Sequence, residues 1–327
     1  MRKTVPLWLA TVALTAIVSV AASTYYFSVA SKGRRTLVVS TTTSLYDTGL
    51  LDPLEERFES EHPVDLYFIS VGTGLAMQHA QRGDADVILV HAPSSEEAFL
   101  TGGYGVCRKI IAYNFFVIIG PTTDPAAIRD LAVSEALRRI VNAGRSGNAI
   151  WVSRGDESGT HIKEKQLWAS AGFNWTLLGQ EPWLLESGAG MGRTLLIANE
   201  RNAYILADIG TYLKYFGGGL ISLEVLVSED KELLNVYSAI AVNPDRVSGV
   251  NFEDAITFIR FLISDEAQKS IEHYQKDVYG RSLFHPAVNL LKEDTEPILT
   301  QWIREFAFFN GTECPTEYRR GHPELYE

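Results

Sequence analysis

Between Trp151 and His161 the chain reads WVSRGDESGTH, which packs Arg154, Gly155, Asp156, Glu157, Ser158, Gly159 and Thr160 into one short loop. An arginine offers charge-assisted donors in a rigid fork. A Ser-Gly-Thr step at a helix start adds unpaired N–H groups, hydroxyls beside them and a close backbone approach. Together these groups suit anion binding. Two other stretches share the character, Ser40-Thr41-Thr42-Thr43-Ser44 and Ser70-Val71-Gly72-Thr73-Gly74. Each alone reads more readily as a helix N-cap than as a ligand site, but three donor-rich, acceptor-poor loops after strands amount to a cup. Asp156 and Glu157 sit oddly beside an anion, unless Asp156 orients Arg154 or acts as a helix-start acid. A surface ion pair between Arg154 and Asp156 is the alternative. Glu186 to Thr194 (ESGAGMGRT) is a fourth glycine-rich entry to a helix, either lining a cleft or serving as a flexible turn.

Catalytic readings are weaker. Ser158 stands three residues before His161, yet no Gly-x-Ser-x-Gly elbow occurs in the chain. His62, His79, His91, His273, His285 and His322 show no metal-ligand spacing. Binding without turnover, metal or cofactor is therefore the expectation.

The elements that must position these loops follow from hydrophobic periodicity. Thr36 to Ser40, Val64 to Val71, Asp86 to Val90 and Ala112 to Gly120 read as strands, with helices over Leu50 to Ser60 and from Gly74 through Gln81. Such alternation predicts an α/β fold on a parallel sheet covered on both faces. A second series follows: Asp130 to Ala143 helical, Ile150 to Ser153 extended, Thr160 to Ala171 and Thr194 to Asn202 helical, Ala203 to Leu206 extended. Val236 to Asn243 is extended again, and Asn251 to Ile263 is an amphipathic helix. The runs at 112–120 and 236–243 are natural crossings between two lobes. Residues 36–115 and 240–300 form a discontinuous first lobe, 116–239 a second, and 301–327 a tail without a functional reading. Ligands of open α/β sheets bind beyond the carboxyl ends of the strands, where the three loops fall.

Composition supports two cores: 327 residues exceed what one core usually holds, and 46% hydrophobic with 21% charged residues is ordinary for a folded chain. The net charge is −11 and the basic residues are scattered, which excludes nucleic acid as a partner. Arg2 and Lys3 precede an apolar run from Val5 to Ala22 that continues weakly to Ala30. Residues 1–30 read as an export signal, with an uncleaved membrane anchor left open. No cysteine follows the run, so a lipidated N-terminal cysteine is excluded. Cys107 and Cys314 are the two cysteines, and in an oxidising compartment they read equally as one disulfide or two free thiols. Asn174 and Asn310 head sequons.

TTTSLYDTGLLDPL, SVGTG, DADVILVHAP, GYGVCRKIIAYNFFVIIGP, SRGDESGTH, GAGMGRTL and ISDEAQ occur in this order from about residue 37 to about 290. This series resembles the tungstate-binding components of tungstate ABC transporters, the TupA type. The resemblance implies a two-lobed type II periplasmic-binding-protein-like fold with the ligand cleft between lobes, located outside the cytoplasmic membrane. It implies tungstate or molybdate as ligand and an ABC permease and ATPase as partners. The Arg154, Asp156, Ser158-Gly159-Thr160 spacing is also similar to the phosphate loop of phosphate-transport receptors. Carried over, the motifs imply Arg154, Ser158, Gly159 and Thr160 from one lobe and Thr42, Thr43 and Thr73 from the other, with Ser44 and Ser70 as weaker candidates. Tungstate and molybdate are unprotonated dianions at neutral pH and suit a cup of donors, whereas phosphate carries a proton and rewards a buried acceptor. The orientation of Asp156 therefore discriminates: turned onto Arg154 it favours tungstate or molybdate, turned onto the ligand it favours phosphate.

Overall fold

The computed structural model describes residues 33–228, 230–280 and 282–327. The segment assigned to export or anchoring, residues 1–30, lies outside the described residues. No helix among those described is long and apolar enough to cross a membrane.

Strand β1 (Arg35–Thr42) buries Leu37 and Val39, and α1 (Thr43–Thr48) and α2 (Leu51–Glu61) follow, the latter turning Leu51, Leu54 and Phe58 inward. β2 (Val64–Val71) leads into α3 (Thr73–Arg82), and β3 (Val87–Val90) into α4 (Pro93–Thr101). β4 (Gly105–Gly120) is the longest strand, at 16 residues. Then come α5 (Val133–Arg145), β5 (Trp151–Ser153), α6 (Gly159–Ser170), α7 (Trp175–Leu178) and β6 (Leu184–Glu186). α8 (Met191–Glu200), β7 (Ile205–Asp208), α9 (Ile209–Gly217) and β8 (Glu224–Val227) complete this stretch before β9 (Leu234–Val242) returns. The remainder is α10 (Phe252–Leu262), α11 (Asp265–His273), α12 (Lys276–Tyr279), β10 (His285–Pro286), α13 (Val288–Glu293) and α14 (Pro297–Ala307).

The sheet is mixed, which corrects the expectation of a parallel one. β1 pairs in parallel with β2 and β3, but β9 lies antiparallel to both β3 and β4. The reason is β4, which at about 3.3 Å per residue is roughly 50 Å long. Its first part, through Phe115, pairs with β9; its last part, from Phe116, pairs antiparallel with β7 and β8. After the α5–α9 excursion at the far end of β4, the nine-residue β9 re-enters opposite Phe115 and runs back to Gly105, so the two strands pair antiparallel. Leu37, Phe58, Val87, Ala239 and Ile259 share one core beneath the β1 end of the sheet. Leu137, Ile140, Trp151, Trp168 and Leu206 share another at the far end of β4.

β4 also begins seven residues earlier than the apolar pattern implies, because Arg108 and Lys109 interrupt that pattern and are answered by distant residues. Arg108 Nε donates to Glu96 Oε2 at 2.8 Å with both side chains fully buried. Lys109 Nζ donates to Glu313 Oε2 at 2.7 Å, which brings the tail beyond residue 300 against the strand.

Glu164 on α6 is fully buried and accepts from Trp151 Nε1 at 2.6 Å and Ser153 Oγ at 2.8 Å. Burial pushes its carboxyl up to about 7 against those hydrogen bonds. A carboxyl raised on folding stabilises the native state fully below its unfolded pKa, and that contribution is lost as pH rises through the folded value. Urea titrations should therefore show a loss of ~3 kcal/mol between about pH 4.5 and 7 that Glu164→Gln removes. An identical pH profile in the variant would contradict it.

Candidate functional site

The carboxyl ends of β1, β2 and β5 converge, and each delivers one of the three polar loops. Thr42 ends β1 and N-caps α1, its Oγ1 accepting from Leu45 N at 3.3 Å. Thr43 then opens the helix with its hydroxyl toward the arginine of the other loop. Gly72 precedes α3 without a side-chain cap, so the first-turn N–H groups from Thr73 onward lack intrahelical acceptors. Ser158 N-caps α6, accepting from His161 N at 3.3 Å, which leaves the Gly159 and Thr160 N–H groups at the open end of the helix.

Arg154 joins the halves. Its side chain is 2% exposed, with Nη2 3.5 Å from Thr43 Oγ1 and Nη1 3.4 Å from Thr160 Oγ1. Nη2 donates to Asp156 Oδ2 at 2.5 Å, and Asp156 Oδ1 accepts from Ser158 N at 3.2 Å. Asp156 is thus turned onto Arg154 and its own loop. Arg154 Nε and Thr73 Oγ1 are buried without any hydrogen-bond partner. Two orphaned polar atoms on opposite walls are costly unless something else satisfies them, and both have hydrogens to give. A cavity of about 320 Å³ opens beside them, lined by Thr43, Gly72, Gly74, Arg154, Asp156 and Gly190 among others. Glu157 also lines this cavity, with its carboxylate paired to Lys165 at 2.7 Å.

Thr43, Thr73, Arg154, Ser158, Gly159 and Thr160 therefore come together. Thr42 is adjacent, but its hydroxyl is engaged by the α1 cap and by Ser44 Oγ at 3.2 Å. Ser44 points to His91, and Ser70 is a partly exposed strand residue opposite Thr41. The glycine-rich stretch at 186–194 backs the loop: Ser187 Oγ donates to Arg154 O at 3.1 Å, and Gly188 N to the same carbonyl at 2.8 Å. Ser158 and His161 do not form a nucleophile and base, since Ser158 Oγ meets the His161 backbone while the ring Nδ1 accepts from Glu157 N at 3.1 Å. Among the described residues no group of three or more His, Cys, Asp or Glu is arranged to hold a metal ion.

His91 was not singled out as a site residue by sequence reasoning. It ends β3, fully buried, and burial pushes its imidazole down to about 4, so it is neutral. Asn235 Nδ2 donates to Asn114 Oδ1 and to Tyr237 Oη, so Asn235 Oδ1 is the acceptor facing His91 Nδ1 at 2.8 Å. Nδ1 therefore carries the hydrogen and Nε2 accepts from Ser44 Oγ at 3.2 Å. Its place at the carboxyl end of a strand in the same sheet was the available signal. Asp208, which caps α9 and whose carboxyl is raised by burial against the Thr211 hydrogen bonds and the nearby Arg154 charge, was missed as well.

A model of the PBP superfamily domain matches residues 28–266. The chain is similar to the tungstate-binding protein TupA of Peptoclostridium acidaminophilum, 37% identical over 259 residues, covering 78% of this chain and 87% of that one. Among solved structures it is similar to the tungstate-binding protein TupA from Desulfovibrio alaskensis G20, with 40% identity, 77% and 98% of the two chains covered, and a TM-score of 0.67. It is also similar to the tungstate ABC transporter structure from Geobacter sulfurreducens, with 41% identity, 73% and 98% covered, and a TM-score of 0.65.

Gly159 lets the start of α6 approach His91 and Thr73 on the facing wall. A Cβ there would lie 2.9 Å from His91 Cε1 and 3.3 Å from Thr73 Oγ1. Gly159→Ala should hold the walls apart, lowering affinity for a small tetrahedral dianion by roughly 10-fold or more, since overpacking costs about 1–3 kcal/mol. Isothermal calorimetry reads the affinity and circular dichroism the fold. Unchanged affinity would show that the closed arrangement is not the binding one.

Proposed function

The chain belongs to the TupA family of the PBP superfamily, and from that premise we propose that it is the extracytoplasmic solute-binding protein of an ABC transporter, taking tungstate or its isostere molybdate. The observation that carries this reading is the orientation of Asp156. Both its oxygens accept hydrogen bonds, from Arg154 and the Ser158 N–H, and the other lining carboxylate, Glu157, is paired with Lys165, so the cleft offers donors and no unpaired carboxylate. An unprotonated dianion needs only donors, whereas the proton of phosphate needs an acceptor.

The ligand contacts in this reading are the hydroxyls of Thr43 and Thr73, the Gly159 and Thr160 N–H groups, the Ser158 and Thr160 hydroxyls and the Arg154 guanidinium. Thr42 supports them by holding the start of α1. Residues 36–115 and 240–300 act as one lobe and 116–239 as the other. The anion docks on one wall and the second wall closes over it, so the closed state is stabilised by its higher affinity. Permease and ATPase subunits read that closure. The protein transports its ligand without turning it over.

Calorimetry of the chain from residue 36 with tungstate, molybdate, sulfate and phosphate tests the reading. Tungstate and molybdate should bind tightly and phosphate weakly. Arg154→Ala should weaken tungstate by ~100-fold or more, because hydrogen bonds to charged groups are worth about 1.5–3 kcal/mol each. Tight binding of phosphate alone, or full affinity in the folded variant, would overturn it.

A further inference from the structure

The two cysteines have no part in the cleft; Cys107 lies on β4 and Cys314 in the tail docked against that strand, both buried. Cys107 lies in β4 where the pairing with β9 shifts register between Val106 and Lys109, and its φ of 54° marks a bulge that re-aims the side chain. Its Sγ donates to Arg319 O at 3.2 Å, while Arg319 Nε donates to Cys314 O at 2.9 Å. The neighbours of the two cysteines are laid together as well. Arg108 Nη1 donates to Glu313 O at 2.7 Å and Ile110 N to Glu313 Oε1 at 2.5 Å. Tyr326 Oη closes the other side by donating to Arg108 O at 2.9 Å. Both thiols are fully buried, and the Arg108 N–H bears on that of Cys314. Residues beside 107 and 314 are thus hydrogen-bonded to each other, and the Cys314 thiol is near enough to bear on that of Cys107, so the two cysteines share one buried cluster.

We propose that Cys107 and Cys314 are a disulfide pair, reduced in this structure, that ties the C-terminal tail to β4. The proposal is independent of the ligand assignment. The oxidant is a small-molecule or protein disulfide. One cysteine thiolate attacks it, releasing one thiol and leaving a mixed disulfide; the second cysteine thiolate then displaces the other thiol. The two protein protons and two electrons end on the two released thiols.

Timing follows from the surroundings. Burial pushes the Cys107 thiol up to about 12 and raises that of Cys314 also. The thiolate is the attacking species, so the folded, reduced protein is inert. Oxidation belongs to the folding chain, while the tail is still docking.

The test is to denature the reduced protein and refold it with oxidised and reduced glutathione, alongside native reduced protein given the same mixture. The refolded sample should weigh two hydrogens less, resist alkylation in denaturant until reduced, and yield one peptide pair joining residues 107 and 314. Its Tm should exceed that of the reduced form by roughly 5–10 °C. Cys107→Ser and Cys314→Ser should each abolish that difference and free the other thiol; if one fails to fold, the other carries the comparison. The native reduced sample should keep both thiols over the same period. Full alkylation after oxidative refolding, glutathione retained on either cysteine, or disulfide-linked dimers would each overturn the proposal.

Discussion

A guanidinium that is 2% exposed must have its charge and its hydrogens answered from inside the protein, and the arrangement around Arg154 is organised by that need. Asp156, two residues on, answers the charge, and Thr43 and Thr160 stand at the limit of hydrogen-bond distance. Nε is left over. In the proposed reading this arginine meets the anion with its geometry already set, the ordering cost of a flexible side chain having been met during folding.

The rest of the fold supports that arrangement from behind. The turn at Ser187 and Gly188 grips the Arg154 carbonyl, and β5 beneath it is pinned by Glu164 through Trp151 and Ser153. On the facing wall, the chain of hydrogen bonds from Asn114 through Asn235 and His91 to Ser44 fixes the polarity of the hydroxyl loop. β4 links the two walls through its pairing with β9 at one end and with β7 and β8 at the other.

Much of this was legible because the chemistry is local. Hydroxyls and glycines at the ends of apolar runs announced the loops, and β2 spans Val64–Val71 as its period indicated. The Arg154 and Asp156 pair was readable as a pair, though not its direction. What escaped depends on partners far apart in sequence. The start of β4 was hidden because Arg108 and Lys109 look like loop residues until Glu96 and Glu313 are seen to neutralise them. The antiparallel course of β9 follows from a strand that crosses the whole molecule, which alternation alone does not reveal. His91 escaped because a lone histidine has no pattern; its role comes from Asn235, more than a hundred residues away, and from Gly159 on the other wall.

In the proposed reading a cup of donors, with the Asp156 carboxylate turned onto the guanidinium, holds the anion between Thr73 and Arg154. Anomalous diffraction at a tungsten absorption edge from crystals grown with tungstate tests it most directly. The account predicts a single strong peak within hydrogen-bonding reach, through its oxygens, of Thr43, Thr73, Arg154 and the start of α6, with Asp156 still on the guanidinium. A peak elsewhere, or an Asp156 oxygen in contact with the oxyanion, would contradict it.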